Sequence, residues 1–247
     1  MTLQSRLIEY GDGDHVFEGR LAFRGDAAGP RPGILIAHAW GGRSPFEDGK
    51  ADDLAALGYT AFAIDLYGKG VRGSNPEENA ALMQPFLDDR AMLQRRLLGA
   101  LAALRRQDEV DAGRVAAIGF CFGGLCVLDL ARTGADLAGV ISFHGLFGAP
   151  GNTRGNRIHA RVLALHGWDD PMVPPDSVAS LATELTEMGA DWQLHAYGNT
   201  MHAFSNPAAN APERGTVYDA AADRRSWQAM RNFLDELFGG QKPGSMT

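Results

Sequence analysis

One stretch decides the fold: Arg114-Val-Ala-Ala-Ile-Gly-Phe-Cys-Phe-Gly-Gly124. Its first half is an apolar run typical of a buried strand, and a helix is expected to follow it from Leu125 to Ala131. Between the two lies the pattern Gly-x-nucleophile-x-Gly of a sharp strand-to-helix turn, with cysteine in place of the usual serine. The glycines are expected because such a turn brings neighbouring backbone too close for a side chain.

Cys121 is the candidate nucleophile of this turn. The turn would lift its sulfur above the sheet edge and place it at a helix N-terminus, where the helix dipole favours a thiolate. The backbone N–H of Phe122 would then stabilise a developing oxyanion. Taken alone, the motif leaves a second interpretation open, in which Cys121 is a buried, inert cysteine. The other cysteine of the sequence, Cys126, lies one helical turn further on and is expected in the core.

The rest of the chain alternates short apolar runs with amphipathic stretches. This alternation predicts an α/β fold with a mostly parallel, doubly wound sheet and helices on both faces. An early hairpin at residues 3–24 would add antiparallel strands at one edge. Strands are predicted at residues 33–38, 59–65, 114–120, 138–143, 161–166 and 191–197. Three amphipathic helices are predicted around residues 93–104, 178–188 and 227–237.

Length and composition restrict the class of protein. The 247 residues fit one α/β domain, predicted over residues 1–240, with a flexible C-terminal tail over 241–247. The formal net charge of −7 and the lack of a basic run argue against a nucleic-acid or anionic-membrane partner. Neither a signal peptide nor a membrane-spanning apolar run is recognisable, so a cytoplasmic protein is expected. The two cysteines match no metal-ligand spacing, and the oligomeric state, monomer or dimer, stays open.

An acid and a histidine follow the turn in the order that a hydrolase triad requires. Asp170 lies in a Gly-x-x-Asp-x-x-Val-Pro loop after a predicted strand, and this spacing favours it over Asp169. A turn or helix-capping role is the alternative for either aspartate. His202 lies just beyond the last predicted strand, where a general base would reach the nucleophile. His144 and His166 also end strands and would line the pocket, but neither follows the acid loop.

Together these motifs resemble the dienelactone hydrolase family of α/β-hydrolases over about residues 15–238. The resemblance implies an α/β-hydrolase fold, a Cys121–His202–Asp170 triad and hydrolysis of a lactone or related ester without cofactor or metal. It also implies an oxyanion hole formed by the N–H groups of Phe122 and Ala39. It rests on Gly119-Phe-Cys-Phe-Gly-Gly124, Gly167-Trp-Asp-Asp-Pro-Met-Val-Pro174, Met201-His-Ala-Phe204 and Ala63-Ile-Asp-Leu-Tyr67.

Three positions depart from the family's pattern. The family's activating glutamate is replaced by His38, which would either act as a base or hydrogen-bond nearby, and both readings stay open. The two arginines that hold the substrate carboxylate are replaced by Lys69 and Asn206, with Arg72 as a neighbour that would serve instead. Substrate-binding residues are therefore expected at His38, Trp40 and Lys69, and dienelactone itself is not assumed as the substrate.

The expected function is hydrolysis of a small-molecule ester or lactone through an acyl-enzyme on Cys121. Peptide bonds are disfavoured as substrates because a thiolate leaves the tetrahedral intermediate more readily than an amine does. A thioesterase or general carboxylesterase on the same triad is the first alternative. A non-catalytic binding or thiol-sensor protein is the second, motivated by the missing glutamate and arginines.

Overall fold

The computed structural model describes residues 2–239, and the tail predicted over 241–247 lies outside them. Within these residues the main sheet has eight strands in the order β1-β2-β4-β3-β5-β6-β7-β8. The pairs β1–β2 and β2–β4 are antiparallel, and the remaining pairs are parallel. The predicted α/β class, mostly parallel sheet and early hairpin are therefore confirmed. The strands are β1 Leu3–Asp12, β2 His15–Arg24, β3 Arg31–Ala37, β4 Thr60–Ala63, β5 Val110–Phe120, β6 Gly139–Phe143, β7 Arg161–Gly167 and β8 Trp192–Tyr197.

Helices cover both faces of this sheet, as the doubly wound pattern predicts. Buried side chains of α1 and α6 form one core, and those of α3, α4 and α5 form the other. No helix among the described residues is long and apolar enough to cross a membrane. The helices are α1 Pro45–Ala56, α2 Pro76–Asp88, α3 Arg90–Arg105, α4 Phe122–Arg132, α5 Pro175–Glu187 and α6 Ala220–Phe238.

The central strands are apolar on both sides because each face packs against helices. On β3, Ile34 and Ile36 belong to the core under α1 and α6, whereas Leu35 and Ala37 belong to the core under α3 and α4. All four side chains are fully buried. A two-residue side-chain alternation with both faces covered produces a continuous apolar run, which is why these strands were recognisable in the sequence.

Two helices, α1 and α2, were not predicted from the sequence. Helix α1 buries only Glu47, Ala51, Leu54 and Ala55, so it carries a weak apolar stripe. Its start is instead marked by a capping box: Ser44 is the N-cap, and the Glu47 side chain accepts the Ser44 N–H. This capping box proves important for the site.

Candidate active site

Cys121 occupies the sharp turn between β5 and α4. Its backbone has φ 56° and ψ −117°, the left-handed side of conformational space that non-glycine residues avoid. A Cβ on Gly119 would lie 1.9 Å from the Gly123 carbonyl oxygen, and a Cβ on Gly123 would lie 2.1 Å from that of Ala37. Only glycine fits at either position, as the sequence pattern indicated. The turn leaves Cys121 partly exposed at the carboxyl edge of the sheet, whereas Cys126 is fully buried.

The structure brings the three predicted triad residues together. The Asp170 carboxylate accepts a hydrogen bond from His202, with 2.7 Å between Oδ2 and Nδ1. Its other oxygen accepts the Met172 N–H at 2.8 Å, which fixes the carboxylate in the loop after β7. Asp170 is buried, whereas Asp169 is exposed. Because Nδ1 of His202 donates to Asp170, its Nε2 is the nitrogen available to Cys121.

Opposing effects act on the pKa of His202. Burial by itself lowers the pKa of His202, but the adjacent Cys121 charge and the hydrogen bond to Asp170 outweigh it, and the pKa rises to about 10. The Nε2 atom of His202 makes no hydrogen bond among the described residues. His202 is therefore protonated at neutral pH, with Nε2 left free on the side of the ring opposite Asp170.

The backbone of His202 is clamped by a segment that sequence reasoning missed. Its N–H donates to the Gly215 carbonyl at 2.9 Å, and its carbonyl accepts the Val217 N–H at 3.0 Å. Residues 215–217 follow a small strand, Asn210–Ala211, and a short 3₁₀ helix, Pro212–Arg214. No apolar periodicity marks this segment, because its contacts are made by backbone groups.

A cavity of about 680 Å³ opens above Cys121 and His202. This volume is within the usual range for small-molecule sites. Its walls are largely apolar, and the side chains of Arg72 and Arg214 also line it. Among residues 2–239, no group of three or more His, Cys, Asp or Glu side chains is arranged to hold a metal ion. The apolar wall residues include Trp40, Phe46, Met83, Leu146 and Met172.

The two predicted oxyanion donors have different surroundings. Phe122 is the first residue of α4, so its N–H has no acceptor within the helix and remains available at the elbow. The Ala39 N–H, in contrast, donates to Glu47 Oε1 at 3.0 Å. In this structure Ala39 therefore has no free proton for an oxyanion. The Trp40 N–H, next along the chain, meets no acceptor among the described residues and lies at the cavity.

Glu47 is the carboxylate that the sequence analysis missed. Its side chain is 1% exposed and lines the cavity. Besides Ala39, it accepts the Ser44 N–H at 2.9 Å and the Ser44 hydroxyl at 2.6 Å. Glu47 thus ties the loop after β3 to the start of α1. The Ser-x-x-Glu spacing of a capping box was the signal that would have revealed it.

His38, predicted to bind substrate, is not among the residues that line the cavity. Its ring is fully buried; Nδ1 lies 2.7 Å from the Ala39 carbonyl oxygen, and Nε2 accepts the Leu66 N–H at 3.2 Å. Burial lowers the pKa of His38, which keeps the ring neutral and able to donate from one nitrogen while it accepts at the other. His38 therefore joins the ends of β3 and β4 and does not line the cavity. Trp40, predicted beside it, does line the cavity.

Lys69, the other predicted substrate-binding residue, lies in an ion-pair cluster with the early hairpin. Its ammonium pairs with Glu9 and, at 3.2 Å, with Glu18 on the surface of the early hairpin. It is not among the residues that line the cavity, whereas Asn206 and Arg72 are.

His144 lies in the site as a second imidazole. Its Nδ1 accepts the Cys121 N–H at 3.1 Å, and its Nε2 lies 2.8 Å from the Ser205 hydroxyl. Its ring meets that of His202 edge to face at a centroid distance of 5.1 Å. Burial, followed by the nearby His202 charge, lowers the pKa of His144 well below its ordinary value. His144 is therefore a neutral group at neutral pH.

Comparison with known proteins gives consistent matches. The sequence model of the dienelactone hydrolase family matches residues 17–238. A solved dienelactone hydrolase-like promiscuous phosphotriesterase from metagenomic libraries is 38% identical and has a TM-score of 0.91. The match covers 97% of this chain and 100% of that protein's chain. An uncharacterized Caenorhabditis elegans protein is 36% identical over 157 residues, 61% of this chain and 98% of its own length. A Bradyrhizobium protein described as "Probable 2-oxo-3-(5-oxofuran-2-ylidene)propanoate lactonase" is 28% identical over 200 residues, 76% of this chain and 79% of its own.

The family match extends from the second strand of the early hairpin to the last residue of α6. It thus includes the elbow, the acid loop and the histidine loop, and two solved relatives of 37% and 38% identity share the fold with TM-scores of 0.90 and 0.91. This chain belongs to the dienelactone hydrolase family of α/β-hydrolases.

Proposed function

We propose that this protein hydrolyses small carboxylic esters or lactones through an acyl-enzyme formed on Cys121. One observation carries the proposal. The strained Cys121 turn opens into a cavity beside His202, whose other nitrogen lies 2.7 Å from buried Asp170. A nucleophile, a base and a group that orients the base are the minimum set for acyl transfer.

The acylation step begins with attack of the Cys121 thiolate on the substrate carbonyl carbon. The carbon–sulfur bond forms while the carbonyl π electrons move to oxygen, giving a tetrahedral oxyanion. The Phe122 N–H donates to this oxyanion, and we assign the second donor to the Trp40 N–H because the Ala39 N–H is taken by Glu47. The carbon–oxygen bond then breaks, and the leaving alkoxide takes the proton of the His202 imidazolium.

The deacylation step returns the enzyme to its starting state. Neutral His202 takes a proton from an incoming water, whose oxygen attacks the thioester carbon. Collapse of the second tetrahedral intermediate expels the Cys121 thiolate and releases the carboxylic acid. The imidazolium–thiolate pair is thereby restored, stabilised by the Asp170 carboxylate.

The cavity lining indicates the type of substrate. Its apolar walls suit an uncharged ester or lactone body, and Arg72 and Arg214 offer positive charge to a substrate that carries one carboxylate. Thioesters and general carboxylic esters use the same steps. A panel of lactones, aryl esters and acyl thioesters, compared by kcat/KM, ranks these classes, and we expect lactones and activated esters to rank above thioesters.

Replacement of the nucleophile tests the mechanism most directly. We expect Cys121→Ala to lower kcat for an activated aryl ester by at least ~10³-fold. Without the thiol no acyl-enzyme can form, and only direct attack by water on the bound ester remains. Cys126→Ala is the matched control: it is the same substitution at the buried cysteine one helical turn away, and it should retain kcat within about threefold. Mass spectrometry of the wild-type enzyme quenched during turnover should show the acyl group on Cys121. Full turnover by Cys121→Ala would overturn the proposal.

A further inference from the structure

A second strained residue faces the nucleophile. Within residues 2–239, four non-glycine residues have positive φ, and three of them surround this site: Cys121 at 56°, His144 at 37° and Ala203 at 59°. A non-glycine residue in this region is strained, so its surroundings must hold it there. Cys121 and His144 hold each other directly, through the hydrogen bond from the Cys121 N–H to His144 Nδ1.

The hydrogen bonds of His144 define one tautomer. A backbone N–H only donates, so His144 Nδ1 must be the unprotonated nitrogen. The proton is then on Nε2, which donates to the Ser205 hydroxyl at 2.8 Å. Both His144 and Ser205 are buried, at 2% and 1% exposure, so water does not compete for these bonds. The Cys121 N–H thereby selects the tautomer, and the Ser205 hydroxyl accepts the proton on the other nitrogen.

His144 is unsuited to act as the general base. Both of its ring nitrogens are occupied, one by the Cys121 backbone and the other by Ser205. The proposed base for the Cys121 sulfur is His202, which Asp170 orients through a hydrogen bond. A neutral His144 places no second positive charge beside His202, whose ring lies 5.1 Å away. Its contact with the nucleophile is with the peptide group.

We propose that His144 is a positioning residue that fixes the Cys121 peptide group and, through it, the direction of the Phe122 N–H, with Ser205 holding the far side of the His144 ring. The catalytic consequence rests on the proposed function. Cys121 N–H also donates to the Phe143 carbonyl at 3.0 Å, so His144 supplies the second acceptor of a shared hydrogen bond. The Phe122 N–H belongs to the next peptide group, and its direction follows from that of Cys121. Misplacing such a group by about 1 Å costs up to ~10²-fold in rate.

Two substitutions separate the two bonds of His144. His144→Asn places an amide oxygen where Nδ1 lies, so the acceptor for Cys121 is kept and the contact with Ser205 is lost. His144→Gln places its amide near the Nε2 position, so the contact with Ser205 is kept and the acceptor for Cys121 is lost. We expect His144→Gln to lower kcat for an activated aryl ester by about 10–100-fold with KM changed less than threefold. His144→Asn should retain kcat within about fivefold.

Alkylation of Cys121 distinguishes positioning from general damage. Iodoacetamide needs the thiolate but no oxyanion donor, so its rate with either variant should remain within about twofold of the wild type. The inference is overturned if His144→Gln retains wild-type kcat, if His144→Asn loses as much as His144→Gln, or if alkylation falls in step with hydrolysis. If His144→Gln does not fold, Ser205→Ala decides, with an expected three- to tenfold loss of kcat at unchanged KM and an unchanged kcat as the contrary result.

A measurement on the wild-type protein separates this inference from the proposed function. ¹⁵N NMR of the His144 ring should show Nε2 protonated and Nδ1 unprotonated throughout pH 6–8. A ring protonated at Nδ1 overturns the inference, whatever the activity. A wild-type protein that shows this tautomer but forms no acyl-enzyme with any ester overturns the proposed function and leaves the assigned His144–Cys121 bond standing.

Discussion

The elbow with its two partner loops and the loop after β3 lie at the same edge of one sheet, yet they differ in how their sequences relate to their roles. At the elbow, Cys121, Asp170 and His202 are the residues that the motif order predicts, and the structure brings them together. In the β3 loop, residues 38–44, the predicted substrate-binding His38 is fully buried and is not among the residues that line the cavity. The predicted oxyanion donor Ala39 is bound to Glu47.

The difference follows from where the constraints on each region originate. The elbow is constrained by its own glycines, since a side chain at Gly119 or Gly123 would overlap backbone at about 2 Å. A constraint of this kind can be recognised from a few neighbouring residues in the sequence. The β3 loop is constrained by Glu47, which is part of α1 and holds the loop through a buried carboxylate. The geometry of the β3 loop therefore depends on α1, a helix that was not predicted because its apolar stripe is weak.

The strongest test of the elbow region is the choice between its two adjacent aspartates. We expect Asp170→Asn to lower kcat/KM by about 10²–10⁴-fold, because an amide no longer orients His202 or stabilises its imidazolium. Asp169→Asn is the matched control and should stay within about twofold, since Asp169 is exposed. An equal loss in both variants would contradict the assignment.

The same substitution has a pH signature. The pKa of His202 is raised to about 10 by contributions that include the hydrogen bond to Asp170, so the imidazolium persists from neutral pH up to about pH 10 and is lost above it. The wild-type kcat/KM should therefore fall on a basic limb near pH 10. Removing the Asp170 charge removes a contribution that raises the pKa, so the limb of Asp170→Asn should move to lower pH. A limb that stays in place would show that another group controls it.

Much of the fold was predictable because its strands are covered on both faces. The run around Ile34–Ala37 alternates between two cores and reads as continuous apolar sequence. The starts of the missed helices α1 and α2 are instead encoded in polar caps at Ser44 and Asn75. Those signals are two or three residues long, and apolar periodicity does not detect them.

The part of the site that could be predicted also depends on short motifs and their order along the chain. Order along the chain predicts Cys121, Asp170 and His202 as neighbours, because the carboxyl ends of parallel strands lie at one edge of the sheet. The contribution of His144 was not predictable as such: only the structure shows that its Nδ1 faces the Cys121 N–H. The surroundings of Lys69 were not predictable either, because its ammonium pairs with Glu9 and Glu18, a long-range pairing that no local pattern indicates.

Glu47 offers a way to decide which N–H of the β3 loop serves the oxyanion. We expect Glu47→Ala to lower kcat about tenfold, because the loop loses the carboxylate that holds Ala39 and Ser44. We also expect it to lower the free energy of unfolding by about 1–2 kcal/mol, since buried donors are left unpaired and the α1 cap is lost. Kinetics and urea unfolding measure the two effects.

The opposite kinetic result would restore the original prediction for Ala39. If its N–H is the oxyanion donor and Glu47 merely obstructs it, Glu47→Ala should raise kcat at a similar cost in stability. Asp48→Ala is the matched control: Asp48 is the next acidic residue of the same helix turn and pairs with Arg43 at 2.9 Å near the surface. We expect it to change stability by less than about 1 kcal/mol and kcat by less than twofold.

The smallest expected effect concerns the cations on either side of the β4 turn, and it tests whether the cavity boundary is correctly drawn. Lys69 pairs with Glu9 and Glu18 outside the cavity, whereas Arg72 lines it. For an ester that carries a carboxylate, Arg72→Ala should raise KM about two- to fivefold, the range of a solvent-exposed charge pair, and leave kcat unchanged. Lys69→Ala should change neither constant by more than about 1.5-fold. With an uncharged ester of the same leaving group, both variants should match the wild type, because no charge remains for Arg72 to attract. A rise in KM with Lys69→Ala alone would return that lysine to the role its sequence position suggested, and would mean that the early hairpin opens to admit substrate.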